Sequence, residues 1–443
     1  MMRLQEIAAL LNTTCTQDAE LSSISIDSRQ VQPRSLFVAI KGERFDGHDF
    51  IAEAVSRGAI AVLCEKEIPH MQAVQFVIPD ALHALALIAA QHRQKHACNV
   101  IALTGSNGKT TVKEMIAAIL PQPSHATRGN LNNHIGVPLS VLHLKPEHRY
   151  AVFELGANHP GEIAHSVAIV KPQVTLINNI APAHVEGFGS IDGVAKAKGE
   201  IHQGLPKDGT AIINADDAYA HFWDDCLQGK KKVQFSAAKS TDIHARDIIF
   251  DEKGHAQFVL VTPAAEAQIS LRVPGYHNVC NALAAAACTW ALGIDTVRIA
   301  SSLSEFAGVA GRMTPRIGKN QSLVLDDTYN ANLRSVLAAL EVLAKYKGKR
   351  IFVFGDMGEL GEWARQHHEE VGEAARQHGI DMLMTCGAHS QFTAHAYGAR
   401  GKHYPSQAAL IQDLLPCLDE ETIVLVKGSR SAAMENIVQQ LIN

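Results

Sequence analysis

Residues 104 to 111 read TGSNGKTT, between the apolar run NVIAL and the helix-like VKEMIAAIL. A loop that follows a strand and opens a helix turns backbone N–H groups and the helix N-terminus toward a phosphate. Thr104, Gly105, Ser106, Asn107 and Gly108 would form such a loop, the two glycines allowing close approach. Lys109 would neutralise charge on the outer phosphates, and the Thr110 hydroxyl could bind Mg²⁺. The common pattern G-x-x-x-x-G-K-[ST] is not met, because Leu103 stands where its first Gly belongs. A triphosphate site is the favoured reading, over a strand–helix turn with a chance Lys-Thr.

Other reactive side chains fall at comparable places. Glu154 ends the apolar run AVFEL, so it is either a magnesium ligand or a solvated strand-end carboxylate. His184 and Glu186 follow VTLINNI, although among 23 histidines any single one is more often structural than a ligand. Lys198 falls on the apolar stripe of Ile191, Val194, Ile201 and Leu205, whereas Lys196 faces the other way. A lysine on such a stripe either snorkels to water or serves a polar site, where its protonation shifts readily. LDDTYNANLRS and VLVKGSRSAAME each place polar groups between a strand and a helix. Lys427, Ser429 and Arg430 in the latter suit an anionic group.

These residues need a scaffold of strands that end together. From residue 98 the chain alternates strand and helix, as parallel strands with crossover helices do. Residues 231 to 273 change to strands with turns, an expected antiparallel extension, and GYHNVCNALAAAACTWALG predicts a helix ending at Gly293. From Gly311 the alternation resumes, predicting a second open parallel sheet of the dinucleotide-binding kind. The fold class is therefore α/β. Three domains are expected, 1–97, 98–310 and 311–443, with the polar stretch QHRQKHACN at the first boundary.

Composition agrees with a globular protein of 443 residues, 47% of them apolar and 19% charged. The net charge of −5 argues against nucleic acid or an anionic membrane as the main partner. Eight cysteines without a C-x-x-C pair suggest neither a disulfide framework nor a zinc knuckle. The N-terminus lacks the apolar stretch of a signal peptide, and no run reaches the roughly 18 residues of a spanning helix. A cytoplasmic protein is expected.

Taken together, these stretches resemble the Mur ligase family, ATP-dependent enzymes that build the peptide of bacterial cell-wall precursors. That family's phosphate loop reads T-G-[ST]-x-G-K-[ST], without the first Gly. IDSR, FDGHDF, GNLNNHIGVPLS, FELGANHPGEI, NNIAPAHVEGFGS, AKAKGEI, DDTYNAN, FGDMGELG and VKGSRSAAME resemble the branch that adds D-alanyl-D-alanine to UDP-N-acetylmuramoyl-tripeptide. The tetrapeptide DNPR, expected of the branch that adds diaminopimelate, is absent.

The resemblance implies an N-terminal domain for the UDP end, a central ATPase domain and a C-terminal domain carrying the incoming amine. It implies ATP and Mg²⁺ as cofactors, with Thr110, Glu154 and His184 at the metal. Lys109, His184 and Lys198 take catalytic roles, Lys198 as the family lysine that CO₂ carbamoylates to a magnesium-holding carboxylate. Asn278, Arg312 and Asp327 are implied at the nucleotide. Ser28, Arg29, Asp46 and His48 are implied at the UDP side. Asn132, Asn133, Tyr329, Asn330, Asn332, Lys427, Ser429 and Arg430 complete the substrate side. A monomer is expected. Two departures stand out: Leu333 follows YNAN where the family usually has Pro, and Pro33-Arg34 replaces Pro-Gly. A folate polyglutamate-adding relative is the nearest rival, disfavoured by the N-terminal DSR and FDGH segments and by TYNAN. A nucleotide-gated switch is another, but the N-K-x-D signature of GTPases is missing and the second α/β domain would have no purpose.

Overall fold

Most parallel strands of the chain are largely apolar runs of four to six residues because they are covered on both faces. Asn99–Thr104 is buried at every position after its first, and Thr422–Lys427 at every position. The computed structural model describes residues 2–42, 45–182 and 185–442, without the side chains of 185 and 186. Among the described residues the strands form sheets of four, nine and six.

The first sheet is parallel, in the order Ile24–Ser25, Ser35–Val38, Ala59–Cys64, Val74–Val77. The nine-stranded sheet runs Glu266–Pro274, His255–Val261, Ile243–Phe250, Lys231–Ser236, Thr210–Asn214, Val174–Ile177, Asn99–Thr104, Tyr150–Glu154, Ser124–Ala126. Its antiparallel part is shorter than expected. Lys231–Ser236 pairs parallel with both neighbours, and only the two hairpin pairings between Ile243 and Pro274 reverse direction. The third sheet runs Thr314–Ile317, Leu323–Asp327, Thr422–Lys427, Lys349–Phe354, Met382–Cys386, Gly401–Tyr404. It is parallel except for its first strand, an antiparallel edge that the alternating pattern did not announce.

Asn99–Thr104 lies between Tyr150–Glu154 and Val174–Ile177, both parallel to it. The chain thus leaves the strand on one side and returns on the other. That reversal opens a crevice beyond the strands' carboxyl ends, where α/β sheets bind ligands.

Helix starts follow local capping chemistry. Asp80, Ser190 and Asn332 accept backbone N–H bonds from His83, Gly193 and Ser335, opening helices Ala81–Gln94, Ile191–Gly199 and Leu333–Lys345. The helix expected from 190 to 205 ends at Gly199 and continues as a 3₁₀ turn, Glu200–Gly204. Ile191, assigned to its apolar stripe, is instead exposed, because it sits in the first turn beside the cap.

One apolar cluster joins the first sheet, helix Ala81–Gln94 and the helices Gly136–Leu142 and Glu162–Val170. The polar stretch QHRQKHACN runs along this junction, with His92, Arg93, His96 and Cys98 buried and Gln94, Lys95, Ala97 and Asn99 exposed. Arg93 is buried and donates to the carbonyls of Val170, His96, Cys98 and Lys171 at 2.6–3.4 Å. The third sheet has cores of its own.

Three buried histidines make the fold acid-sensitive. Burial lowers His92 to about 4, His125 to about 3 and His202 to about 4. An unfolded chain protonates these imidazoles near pH 6.5, whereas the folded chain resists until pH 4 or 3. Stability is therefore full above about 6.5 and falls with acidification, by about 1.4 kcal/mol per pH unit for each imidazole at its steepest. Urea midpoints should drop between pH 7 and 5; a flat profile would contradict the assignment.

Candidate active site

The phosphate loop is built as its sequence suggests. Gly105 and Gly108 have φ of 151° and 78°, backbone conformations that residues with a side chain rarely adopt, and Gly108 is the N-cap of helix Lys109–Ile119. Beneath the loop lies a floor of asparagine amides. Asn178 and Asn179, just after strand Val174–Ile177, each donate Nδ2 to the Asn107 carbonyl at 2.9 and 3.0 Å. Asn179 Oδ1 takes the Asn107 N–H at 2.9 Å. Asn178 also reaches Asn281 Oδ1 at 3.1 Å, and Asn281 donates to Asn278 Oδ1 at 3.1 Å. A Cβ at Gly108 would collide with the Asn281 and Asn178 amides, so glycine is required there by space as well as by φ.

Ser106 exchanges hydrogen bonds with Ala181 at 3.0 and 2.9 Å, and Thr104 is buried at the strand end. Lys109 folds its ammonium onto the Gly105 carbonyl at 2.7 Å. Burial lowers the Lys109 pKa, the Glu154 carboxylate opposing the shift and the Arg312 charge adding to it.

Glu154 is 1% exposed at the end of Tyr150–Glu154. Its Oε1 accepts from Asn132 Nδ2 at 2.8 Å and from Thr110 Oγ1 at 3.3 Å, while Oε2 is buried without a partner. A carboxylate oxygen left bare in the interior beside a hydroxyl is a costly arrangement unless a cation completes it. This oxygen set suits a hard divalent ion. Among the described residues no three His, Cys, Asp or Glu gather as a ready-made metal cluster. His184 lies outside the described residues.

Lys198 is 1% exposed, in helix Ile191–Gly199, while Lys196 is exposed. Burial holds its pKa well below the usual lysine range, and the Lys109 cation depresses it further. A long side chain could have snorkelled to water; this one does not.

Around the loop opens a cleft of about 630 Å³, lined by both the nine-stranded sheet and the third sheet. Lys109, Thr110, Asn132, Asn133 and Glu154 face it from one side, and Arg312, Tyr329, Asn330, Asn332 and Arg430 from the other. Arg312 stacks its guanidinium 4.0 Å from the Tyr329 ring centroid and reaches Thr110 Oγ1 at 3.5 Å. It makes no ion pair among the described residues, and its Nε is buried and unpartnered. An unpaired guanidinium facing an anion-binding loop suits phosphate recognition.

Several expected site residues have other partners here. Asp327 is buried against Lys427, Nζ to Oδ2 at 2.6 Å, and accepts the Met313 N–H at 3.1 Å. Lys427 also binds the Asn330 carbonyl at 2.9 Å, so the pair braces the Tyr329–Asn330 loop and lines no cleft wall. Ser429 is buried and pairs with Ser431, while Arg430 bridges to Glu435 at 2.9 Å. Asn278 donates to the Pro274 carbonyl at 2.8 Å and lies outside the lining. Asn133 caps the turn into Gly136–Leu142 through the Gly136 N–H at 2.7 Å.

The N-terminal candidates stay within the first sheet's layer, apart from the cleft. Ser28 donates to Glu53 at 2.7 Å and Arg29 pairs with Asp27 at 2.8 Å. Asp46 holds His48 Nδ1 at 2.6 Å, and His48 Nε2 accepts from the Glu65 N–H at 3.0 Å. Asn178, Asn179 and Asn281 were not expected at the site. The signals were present: adjacent asparagines at a strand end, and Asn281 one helical turn from Asn278 on the same face.

Known proteins share this arrangement. Residues 20–93, 103–289 and 311–430 match, in turn, the Mur ligase family catalytic domain, the Mur ligase middle domain and the Mur ligase glutamate ligase domain. The UDP-N-acetylmuramoyl-tripeptide–D-alanyl-D-alanine ligase of Escherichia coli (strain K12) is 46% identical over 430 residues, covering 96% of this chain and 94% of its own. The enzyme of the same name from Haemophilus influenzae is 40% identical, covering 96% and 94%. A crystal structure of MurF from Acinetobacter baumannii superposes with a TM-score of 0.91 at 35% identity, over 99% of this chain and 98% of that one. The MurF ligase of Thermotoga maritima, solved in complex with ADP, gives 0.82 at 27% identity over 94% and 96%. With three consecutive matches and full-length relatives, the chain belongs to the Mur ligase family.

Proposed function

We infer that the chain is an ATP-dependent ligase that joins D-alanyl-D-alanine to UDP-N-acetylmuramoyl-tripeptide, forming the pentapeptide precursor of peptidoglycan with ADP and phosphate. The observation that carries this reading is the cleft itself. A glycine-lysine phosphate loop on one sheet faces a guanidinium that has no ion pair among the described residues, and a Tyr-Asn loop on another, in a chain that aligns over nearly its whole length with ligases of that name.

A carboxylate acylates poorly because its leaving group would be oxide. The substrate's carboxylate oxygen attacks the γ-phosphorus of ATP, the bond to ADP breaks, and an acyl phosphate forms. The dipeptide amine then attacks the acyl carbon, and the tetrahedral intermediate expels inorganic phosphate. Lys109 and Arg312 stabilise charge on the phosphoryl oxygens, and the loop N–H groups orient them. Closing Arg312 and Tyr329 over the loop excludes water, which would otherwise hydrolyse the acyl phosphate.

Mg²⁺ belongs to this reading, held by Thr110 and Glu154, with His184 and a carbamoylated Lys198 completing the set. When bound it neutralises phosphate charge. A buried lysine with a lowered pKa keeps a neutral amine, the form that reacts with CO₂. The division into 1–97 for the UDP end, 98–310 for ATP and 311–443 for the amine, the monomeric state and a cytoplasmic location complete the proposal. Among the described residues, no helix is long and apolar enough to cross a membrane.

The deciding assay is phosphate release from ATP with UDP-N-acetylmuramoyl-tripeptide and D-alanyl-D-alanine. Release that ignores omission of the dipeptide would defeat the reading. In the same assay Lys198→Ala should collapse turnover, and added bicarbonate should not restore it. Unchanged turnover would reject a role for Lys198 at the metal.

A further inference from the structure

The side chain of Asn332 has both ends in use. Its Oδ1 accepts the Ser335 N–H at 3.0 Å, capping helix Leu333–Lys345, and Ser335 Oγ accepts the Asn332 N–H at 3.1 Å to close a capping box. A backbone N–H can only donate, so the cap fixes which end of the Asn332 amide is oxygen. Its Nδ2 must then point away from the helix, and it meets Asn107 Oδ1 at 2.6 Å. An NH₂ group can only donate, so the atom of Asn107 that it meets must be oxygen. The helix cap on the third sheet thereby dictates the orientation of an amide on the phosphate loop, 225 residues away in sequence.

What this leaves over is the Asn107 NH₂. It is buried and unpartnered, on a side chain that lines the cleft beside Lys109 and Thr110. The backbone of Asn107 is held by Asn178 and Asn179, and the side chain's orientation is set by the Asn332 contact. Facing a phosphoryl group, the NH₂ end stabilises and the oxygen end repels.

We propose that Asn332 is a positioning residue that holds the Asn107 amide with its NH₂ toward the cleft, where it donates to the transferring phosphoryl oxygens. The phosphate loop is then fully competent only when the third sheet is docked on it, which ties ATP chemistry to arrival of the amine-bearing part of the chain. This rests on the ligase reading for the reaction, but only on nucleotide binding for the latch itself.

The test is a double-substitution cycle in the full-length chain. Asn332→Ser retains a good, neutral helix cap but lacks the NH₂ that Asn107 Oδ1 accepts, so the fold is kept and the latch is released. Asn107→Ala removes the donor. Two quantities are read: kcat for dipeptide-dependent phosphate release, and calorimetric affinity for a non-hydrolysable ATP analogue. Each single substitution should lower kcat by about tenfold or more, as loss of one oriented donor does, and weaken the analogue measurably. In the Asn107→Ala background, Asn332→Ser should add nothing further to either. Effects that multiply in the double variant would overturn the proposal, since a purely structural role for Asn332 does not depend on Asn107. If the wild-type chain binds the analogue but ligates nothing, the ligase reading fails while the affinity cycle still judges the latch. A wild-type chain that binds no analogue would overturn both.

Discussion

Glu154→Gln should leave the protein as stable as the wild type, or more so, and lower turnover on the order of a thousandfold. The two halves have one cause. Glu154 is buried with one oxygen on Asn132 and Thr110 and the other bare, and no cationic side chain bonds it among the described residues. Among the described residues only the Asn132 and Thr110 hydrogen bonds and the nearby Lys109 charge offset the desolvation of that carboxylate, and one oxygen has no partner, so a neutral isostere that keeps the Asn132 bond removes a penalty. The same bare oxygen is what a divalent ion would bind. Losing it would forfeit the several kcal/mol of charge stabilisation that a bound metal supplies to phosphoryl transfer. Calorimetric melting without metal, phosphate release and a Mg²⁺ titration of activity check the three parts. Full activity in the glutamine variant would end the metal assignment, and a lower melting temperature would show Glu154 to be structural.

The second large effect lies on the third sheet. Lys427→Met should destabilise the fold by about 3–5 kcal/mol, the usual range when one member of a buried ion pair is removed. Lys427 and Asp327 end neighbouring parallel strands and are both almost wholly buried, 2.6 Å apart. Burial, with the Arg312 charge, lowers the lysine pKa, and the Asp327 charge and hydrogen bond oppose that, so the partner favours the cation. Without it, Asp327 is stranded with a single backbone donor, Met313. The double variant Asp327→Asn/Lys427→Met should recover much of the loss in urea melts, because no buried charge remains. If the double variant falls as far as Lys427→Met, shape rather than charge governs this position. Since Lys427 also holds the Asn330 carbonyl, both variants should disturb the loop that carries Tyr329 to the cleft.

The phosphate loop was legible because its signal is local: two glycines, a lysine and a hydroxyl within eight residues, after an apolar run and before a helix. Burial of Lys198 was legible in the same way, from the period of its neighbours, although the period wrongly enrolled Ile191. Contacts between distant stretches left no such trace. Asn132 reaches Glu154 and Asn332 reaches Asn107 only because separate strands end in the same crevice, a fact of sheet order. Strand direction was hidden for the same reason. Lys231–Ser236 looks like the hairpin strands after it, and only its neighbours in the sheet make it parallel. Composition alone did not show that Arg93 in QHRQKHACN lies in the interior, where backbone carbonyls satisfy its guanidinium.

That guanidinium has a consequence for which acids the enzyme accepts. By tying helix Ala81–Gln94 to the end of Glu162–Val170, within a common apolar cluster, it resists a swing of the first two sheets relative to each other. On the proposed reading, one grips the uridine end and the other delivers the phosphoryl group, so the span between them works as a caliper. A precursor one amino acid too short would be anchored correctly and still present its carboxylate out of range.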